Sequence, residues 1–350
     1  MKGLSVYLSE PLTSNFKAWV GRMREIGFTS MFTSLHIPED DPSVYTERLR
    51  QLGMLARELD MELFVDIAPT SLAALGKTWD DAHTLVEWGV TGLRVDYGVT
   101  PKQVADLSTR MTVALNASTL TESELAEMRR HGLVTDNVEA WHNFYPRPET
   151  GLDRDWFDDK NDWLKRQGLS VQAFIPGDGT LRGPLFERLP TLEDHRTLST
   201  FACYLDLADS VDRILIGDPG LADETIEQFA SNADGMLVLR AEAETTIEAA
   251  FYRVQTNRMD PARDVIRSVE SRAYGRPGDR LLEPMDARPR PLGTITVDNA
   301  DYGRYAGEMQ VTKRDLPPDA RVNVLGRVIE ADRPLIRAIG PGTTFRIEWC

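Results

Sequence analysis

Three carboxylates each follow a short apolar run: Glu10 after Leu4–Tyr7, Asp66 directly after Leu63-Phe64-Val65, and Asp96 after Leu93-Arg94-Val95. Grouped carboxyl side chains can divide labour, one protonating a leaving atom while another assists attack. Arg94 lies two residues before Asp96 and so projects from the same side of an extended chain. It either completes a buried ion pair or binds an anionic group. Other runs end in polar residues too: Ser9, Ser34 and His36, Asn116 and Ser118, and His142 with Asn143. Any one of these alone has the ordinary alternative of a helix cap or a satisfied buried group.

Three irregular stretches add to the set. HNFYPRPETGL (His142–Leu152) mixes an imidazole, a carboxamide, two aromatics, two prolines, a guanidinium and a carboxylate. Its prolines forbid a helix interior or a central strand, so it reads as a shaped loop. GDGTLRG (Gly177–Gly183) and GDPG (Gly217–Gly220) are glycine-rich, and glycines let backbone N–H groups approach an anion closely. Thr180 adds a hydroxyl and Arg182 a planar double donor. As tight turns alone the two runs would be unexceptional.

The elements that must position these groups alternate in a regular rhythm. Candidate strands Leu4–Tyr7, Ser30–Thr33, Glu62–Ile67, Gly92–Val95, Thr112–Leu115, Val138–Trp141, Ser170–Ile175 and Arg213–Ile216 are separated by amphipathic stretches such as Phe16–Ile26, Tyr45–Leu59, Asp80–Trp88, Glu122–His131 and Asp155–Gln167. Gly27, Gly89, Gly132 and Gly168 supply helix ends. Eight βα units within residues 1–235 predict an α/β fold, a (β/α)8 TIM barrel, whose chemistry gathers at the C-terminal ends of its strands. Asp66 and Asp96 are then expected at matching heights on neighbouring strands, and a phosphate is expected at the loops after strands seven and eight, on backbone N–H groups and Arg182. Residues 236–350 follow a different pattern, with the boundary at 235–250. A helix is expected near Asp264–Arg272, then a Pro/Gly-rich connection. Period-two strands follow at Thr294–Val297, Glu308–Val311, Val322–Ile329, Leu335–Ile339 and Thr344–Trp349, which together make a small all-β barrel or sandwich.

Composition narrows the partners. A net charge of −15 over 350 residues argues against nucleic acid or an anionic membrane as partner, since both need a basic surface. No N-terminal run has signal-peptide length and none approaches a membrane helix, so the expected location is cytoplasmic. Cys203 and Cys350 are far apart and the five histidines are dispersed, which offers neither a disulfide framework nor a metal cluster. No cofactor is implied, and the oligomeric state is not written in the sequence.

With these residues in view, the chain resembles the 6-phospho-N-acetylmuramidase family of bacterial glycoside hydrolases. The resemblance is carried by HNFYPRPETGL, FIPGDGTLRGPLFERLPTLEDHR (Phe174–Arg196), RSVESR (Arg267–Arg272) and DNADYGRYAGEMQV (Asp298–Val311), with weaker agreement at SVYLSE, VDIAP and LRVDYG. It implies a TIM barrel followed by a cyclophilin-like β-domain. The activity it implies is cleavage of N-acetylmuramic acid 6-phosphate from N-acetylglucosamine, a cytoplasmic step in cell-wall sugar salvage. On that footing Asp66, Asp96 and Glu10 are the catalytic candidates. Arg94, Asn116, His142, Asn143, Tyr145, Thr180, Arg182 and Gly183 are the candidates for binding substrate, His142 and Asn143 through sugar hydroxyls and Tyr145 by stacking on a ring or holding the loop. Two features depart from expectation: strand four ends in aspartate where many barrel glycosidases carry glutamate, and Arg188 stands where a small residue is expected. The rival reading is a sugar-phosphate binding or regulatory protein on a non-catalytic barrel. An isomerase or aldolase is less favoured, because no lysine stands at a strand end.

Overall fold

The computed structural model describes residues 1–35, 37, 42–95, 97–247, 249–273 and 282–350. The chain divides into two compact units, Met1–Arg196 with Asp206–Ile226, and Thr197–Leu205 with Glu227–Cys350.

In the first unit, β1 (Lys2–Ser5), β2 (Phe28–Ser34), β3 (Glu62–Ile67), β4 (Gly92–Val95), β5 (Thr112–Asn116), β6 (Val138–Trp141), β7 (Ser170–Ile175) and β8 (Arg213–Ile216) form a closed parallel barrel in chain order. It closes where Leu4 pairs with Ile216. Helices α1 (Ser14–Glu25), α2 (Tyr45–Glu58), α3 (Pro69–Ala74), α4 (Pro101–Ser108), α5 (Glu122–Arg130) and α6 (Arg154–Arg166) connect successive strands. Their starts are chemically marked: Thr13 accepts from the Phe16 N–H, Thr100 and Thr121 form capping boxes with Gln103 and Glu124, and Asp153 accepts from the Trp156 N–H. Gly27, Gly89, Gly132 and Gly168 all take the left-handed conformation expected of residues that end a helix.

The barrel interior is layered. Its middle is a cluster of Phe32, Phe64, Ala114, Trp141, Phe174 and Leu215. The Phe64 ring fills the space beside β4 so completely that a Cβ on Gly92 would lie 2.3 Å from it, which explains the glycine there. Because side chains alternate, the residues two positions before and after this layer also face inward. Glu62, Glu139 and Arg213 lie below it, at the N-terminal ends of the strands. Ser34, Asp66, Arg94, Asn116 and Asn143 lie above it.

The second unit holds a seven-stranded sheet. Its strands are β9 (Met236–Ala243), β10 (Gln255–Thr256), β11 (Val265–Arg267), β12 (Thr294–Asp298), β13 (Met309–Thr312), β14 (Val322–Val328) and β15 (Thr344–Trp349), in the order β10-β15-β9-β14-β12-β13-β11. An isolated bridge between Asn257 and Ser268 brings the two edge strands together, so the sheet is a nearly closed β-barrel. Two sequence expectations fail here. Leu335–Ile339 is the end of a 3-10 segment, Glu330–Ala338, and not a strand. Pro334 removes a ladder donor, and Leu335 and Ile336 are both 1% exposed, a consecutive burial that strand alternation would not give. The expected helix Asp264–Arg272 is strand β11 followed by a short helix, Val269–Ala273. No helix among the described residues is long and apolar enough to cross a membrane.

Candidate active site

The upper layer of the barrel is tied into one network. Asp66 accepts a hydrogen bond from the Ser34 hydroxyl on Oδ2 (2.9 Å) and from the Arg94 guanidinium on Oδ1 (2.8 Å). The other arm of Arg94 donates to Oδ1 of Asn143. The β3–β4 register pairs Asp66 directly with Arg94, so the group level with Asp66 on β4 is the arginine. The expectation that Asp66 and Asp96 stand at matching heights falls on Asp96, which, like His36, lies outside the described residues. Arg94 is 4% exposed and its fork is spent on Asp66 and Asn143, which makes it a structural partner of the site and a poor anion receptor.

His142 corrects another expectation. It is fully buried, with Nε2 2.7 Å from Asn161 Oδ1, Nδ1 3.4 Å from the Ser118 hydroxyl, and its ring against Phe157. Burial pushes its pKa down to about 4, the Asn161 bond acting the other way. A wholly covered imidazole has no surface to offer a sugar hydroxyl, so it sits beneath the site as a support. Asn116, 6% exposed, accepts from the Ser118 N–H through Oδ1.

The loop His142–Leu152 is riveted to the segment after β7. The Glu193 carboxylate accepts from the N–H groups of Glu149 (2.8 Å) and Gly151 (2.7 Å) and is gripped by Arg196, whose bonds hold its pKa down to about 2. Arg196 also donates to the Tyr145 carbonyl, and the Tyr145 N–H donates to Pro190 O. A Cβ at Gly151 would lie 2.6 Å from the Glu193 carboxylate, so only glycine fits there. Arg188, the unexpected large residue, adopts φ +64° and donates to the carbonyls of Gly177 and Arg196. The left-handed backbone accounts for expecting a small residue, and the two carbonyl contacts account for the arginine.

The two glycine-rich loops interlock. Asp218, 1% exposed, accepts from the N–H groups of Gly177 (2.9 Å), Leu189 (3.0 Å) and Arg182 (3.2 Å), and burial raises its pKa. Gly179 N–H donates to Gly220 O, and Gly220 N–H to Thr180 O. A Cβ on Gly177 would lie 2.5 Å from Gly220 O. The glycines therefore serve the contact between loops, and these N–H groups are already occupied by the protein's own acceptors. Of the expected phosphate ligands, the N–H groups of Gly177, Gly179, Arg182 and Gly220 are thus taken, while the side chains of Thr180 and Arg182 face a cavity.

Both side chains line a cavity of about 500 Å³ at the C-terminal ends of the strands, together with Tyr7, Glu10, Phe16 and Gly183. Glu10 is exposed. The Arg182 guanidinium stands 4.6 Å over the Tyr7 ring and 5.7 Å over that of Phe144, and forms no ion pair among the described residues. Tyr7 donates its hydroxyl to Gly217 O (2.5 Å); burial raises its pKa, against the effect of the Arg182 charge. Phe144 is the aromatic of the His142–Leu152 loop that faces a cation. Asn143, bonded to Arg94, is followed in the chain by Phe144, whose ring faces Arg182 on the cavity wall. Sequence reasoning missed Tyr7, Phe144 and Asp218. The available signal for Tyr7 was that it falls on an inward position just above the barrel's aromatic layer.

Comparison with known proteins agrees with this architecture. A protein of unknown function from Enterococcus faecalis is 41% identical over 100% of this chain and 96% of its own, with a TM-score of 0.91. An uncharacterized B. cereus protein is 25% identical over 99% of both chains, with a TM-score of 0.72. A search of curated proteins finds no match. The 6-phospho-N-acetylmuramidase N-terminal model matches residues 2–231 and the corresponding C-terminal model matches residues 237–348. With both units matched in order, the chain belongs to the 6-phospho-N-acetylmuramidase family.

Proposed function

We propose that this protein is a glycosidase that hydrolyses the bond joining N-acetylmuramic acid 6-phosphate to N-acetylglucosamine, within the salvage of peptidoglycan sugars in the cytoplasm. The observation that carries the reading is the cavity where Arg182, without a carboxylate partner among the described residues, shares its walls with Glu10. A cation with no ion pair among the described residues, in a chain of net charge −15, suits a phosphomonoester, with Thr180 on the same cavity wall as a hydroxyl donor. Glycoside cleavage needs an acid for the leaving oxygen and a second group to assist attack at the anomeric carbon. Glu10, on the cavity wall, is our candidate for the first. Asp66, fixed by Ser34 and Arg94, and Asp96 are the candidates for the second. The substrate's acetamido group could itself attack, in which case an aspartate orients it.

The test is direct. Purified protein is incubated with the phosphorylated and the unphosphorylated muramyl-glucosamine disaccharide, and products are followed by mass. Release of N-acetylglucosamine from the phosphorylated sugar, and much less from the other, is expected. Equal cleavage of both would remove the phosphate from the argument. Tight binding without cleavage would make the protein a sugar-phosphate binder.

A further inference from the structure

The upper end of the barrel contains two arginines whose surroundings are opposite in kind. Arg94 spends its fork on Asp66 and Asn143. Arg182 is held by ring faces, 4.6 Å over Tyr7 and 5.7 Å over Phe144, with no carboxylate partner among the described residues. A carboxylate partner would compete with an incoming anion for the same in-plane N–H donors. An aromatic face attracts the cation through its quadrupole and competes far less for the donors in the guanidinium plane.

Both rings are themselves anchored. The Tyr7 hydroxyl bonds the Gly217 carbonyl at the end of β8. Phe144 meets Phe174, part of the barrel's aromatic layer, edge to face at 5.1 Å. The Arg182 backbone is fixed as well, by its N–H bond to the buried Asp218. Backbone and ring contacts are thus spent on holding this side chain in place, while its fork keeps the wall of the cavity.

We infer that Tyr7 and Phe144 are specificity-determining positioning residues, which hold Arg182 as a preorganised receptor for a phosphomonoester dianion. This rests on the proposed substrate and adds to it how the phosphate is selected. Charge alone would bind any anion. A guanidinium plane fixed at one place in the cavity selects an anion that presents two oxygens there.

The test compares Phe144→Leu and Tyr7→Leu with Phe144→Tyr and Tyr7→Phe, which keep the ring faces. The readout is the ratio of KM for unphosphorylated over phosphorylated disaccharide. Each leucine variant is expected to lower that ratio by about fivefold, the size of one cation–π contact. The ring-preserving variants should stay within about twofold of the parent, with kcat on the phosphorylated sugar little changed in all four. Equal loss on both substrates, or no loss, would overturn the inference. Should a leucine variant fail to fold, Arg182→Lys decides: it keeps the charge but not the plane, and an unchanged ratio in that variant would overturn it too. Calorimetry with glucosamine 6-phosphate against glucosamine separates this from the proposed reaction. Phosphate-dependent binding that weakens in Phe144→Leu would uphold the receptor even if the disaccharide were never cleaved. Cleavage that prefers the phosphorylated disaccharide yet ignores Phe144 would sink the receptor alone.

Discussion

Two arginine–carboxylate clusters occupy opposite ends of the same barrel, and they are built differently. At the bottom, Arg213 is 3% exposed and donates to Glu62 (2.5 Å) and Glu139 (3.0 Å), while the Trp141 indole N–H takes the other Glu139 oxygen (2.7 Å). The Phe64 ring lies 4.8 Å from the guanidinium. Two carboxylates serve one cation there, beneath a floor of aromatic rings. At the top, Arg94 has the single carboxylate of Asp66 among the described residues, and its partner Asn143 precedes Phe144, whose ring faces Arg182 on the wall of an open cavity. The same chemical kit closes one end and leaves the other unfinished. Residue type therefore says little about role until the level in the barrel is known.

The sharpest way to break the contrast is at the bottom. Arg213→Met leaves Glu62 and Glu139 facing each other without their cation, and removing one partner of a buried pair costs about 3–5 kcal/mol. Glu62 is 43% exposed, so the lower end, about 3 kcal/mol, is expected. Urea titration should show that loss, while the folded fraction keeps near-parent kcat on the phosphorylated disaccharide. Unchanged stability, or a large fall in kcat, would erase the distinction between the two ends.

The top should respond the other way. Asp66→Asn keeps the shape and replaces a charge, so kcat should fall by about a hundredfold or more, with stability changed by less than in Arg213→Met. Near-normal kcat would make Asp66 structural and leave Glu10 and Asp96 to carry the chemistry. Arg182→Ala is expected to act on recognition. Losing a charge-assisted bond, about 1.5–3 kcal/mol, should raise KM for the phosphorylated disaccharide by about tenfold or more, with kcat largely retained. An unchanged KM would move the phosphate to another part of the barrel.

How much of this was legible depends on the range of the interactions. Strands such as Glu62–Ile67 and Ser170–Ile175 are read without error because a strand buried on both faces is a continuous apolar run with sharp ends. Strand β10, two residues long, and β11, three, are too short to show any period. In the site, alternation alone puts Asp66, Arg94 and Asn143 on inward positions. It cannot reveal that Asp218, 41 residues from Gly177, already occupies the N–H groups of Gly177 and Arg182 in the first glycine-rich loop. Nor can it show that His142, written beside Asn143 in one polar loop, is sealed off below it.

His142 provides the smallest test and bears on how the upper end is supported. Its ordinary pKa of 6.5 applies to the unfolded chain, and burial lowers it to about 4 in the fold. Between those values the unfolded state binds more protons, so the histidine's contribution to stability is present above pH 6.5 and is lost as pH falls toward 4. Over the first unit of that descent, from pH 6.5 to 5.5, the loss should be about 1 kcal/mol, since one pH unit on one fully linked proton is worth about 1.4. His142→Gln removes the titration, so the difference in urea stability between parent and variant should shrink by that amount over the same interval. The other four histidines are present in both proteins. A constant difference between parent and variant would mean that the imidazole titrates alike in both states, and that the floor under the Asp66–Arg94–Asn143 network is wet where the structure makes it dry.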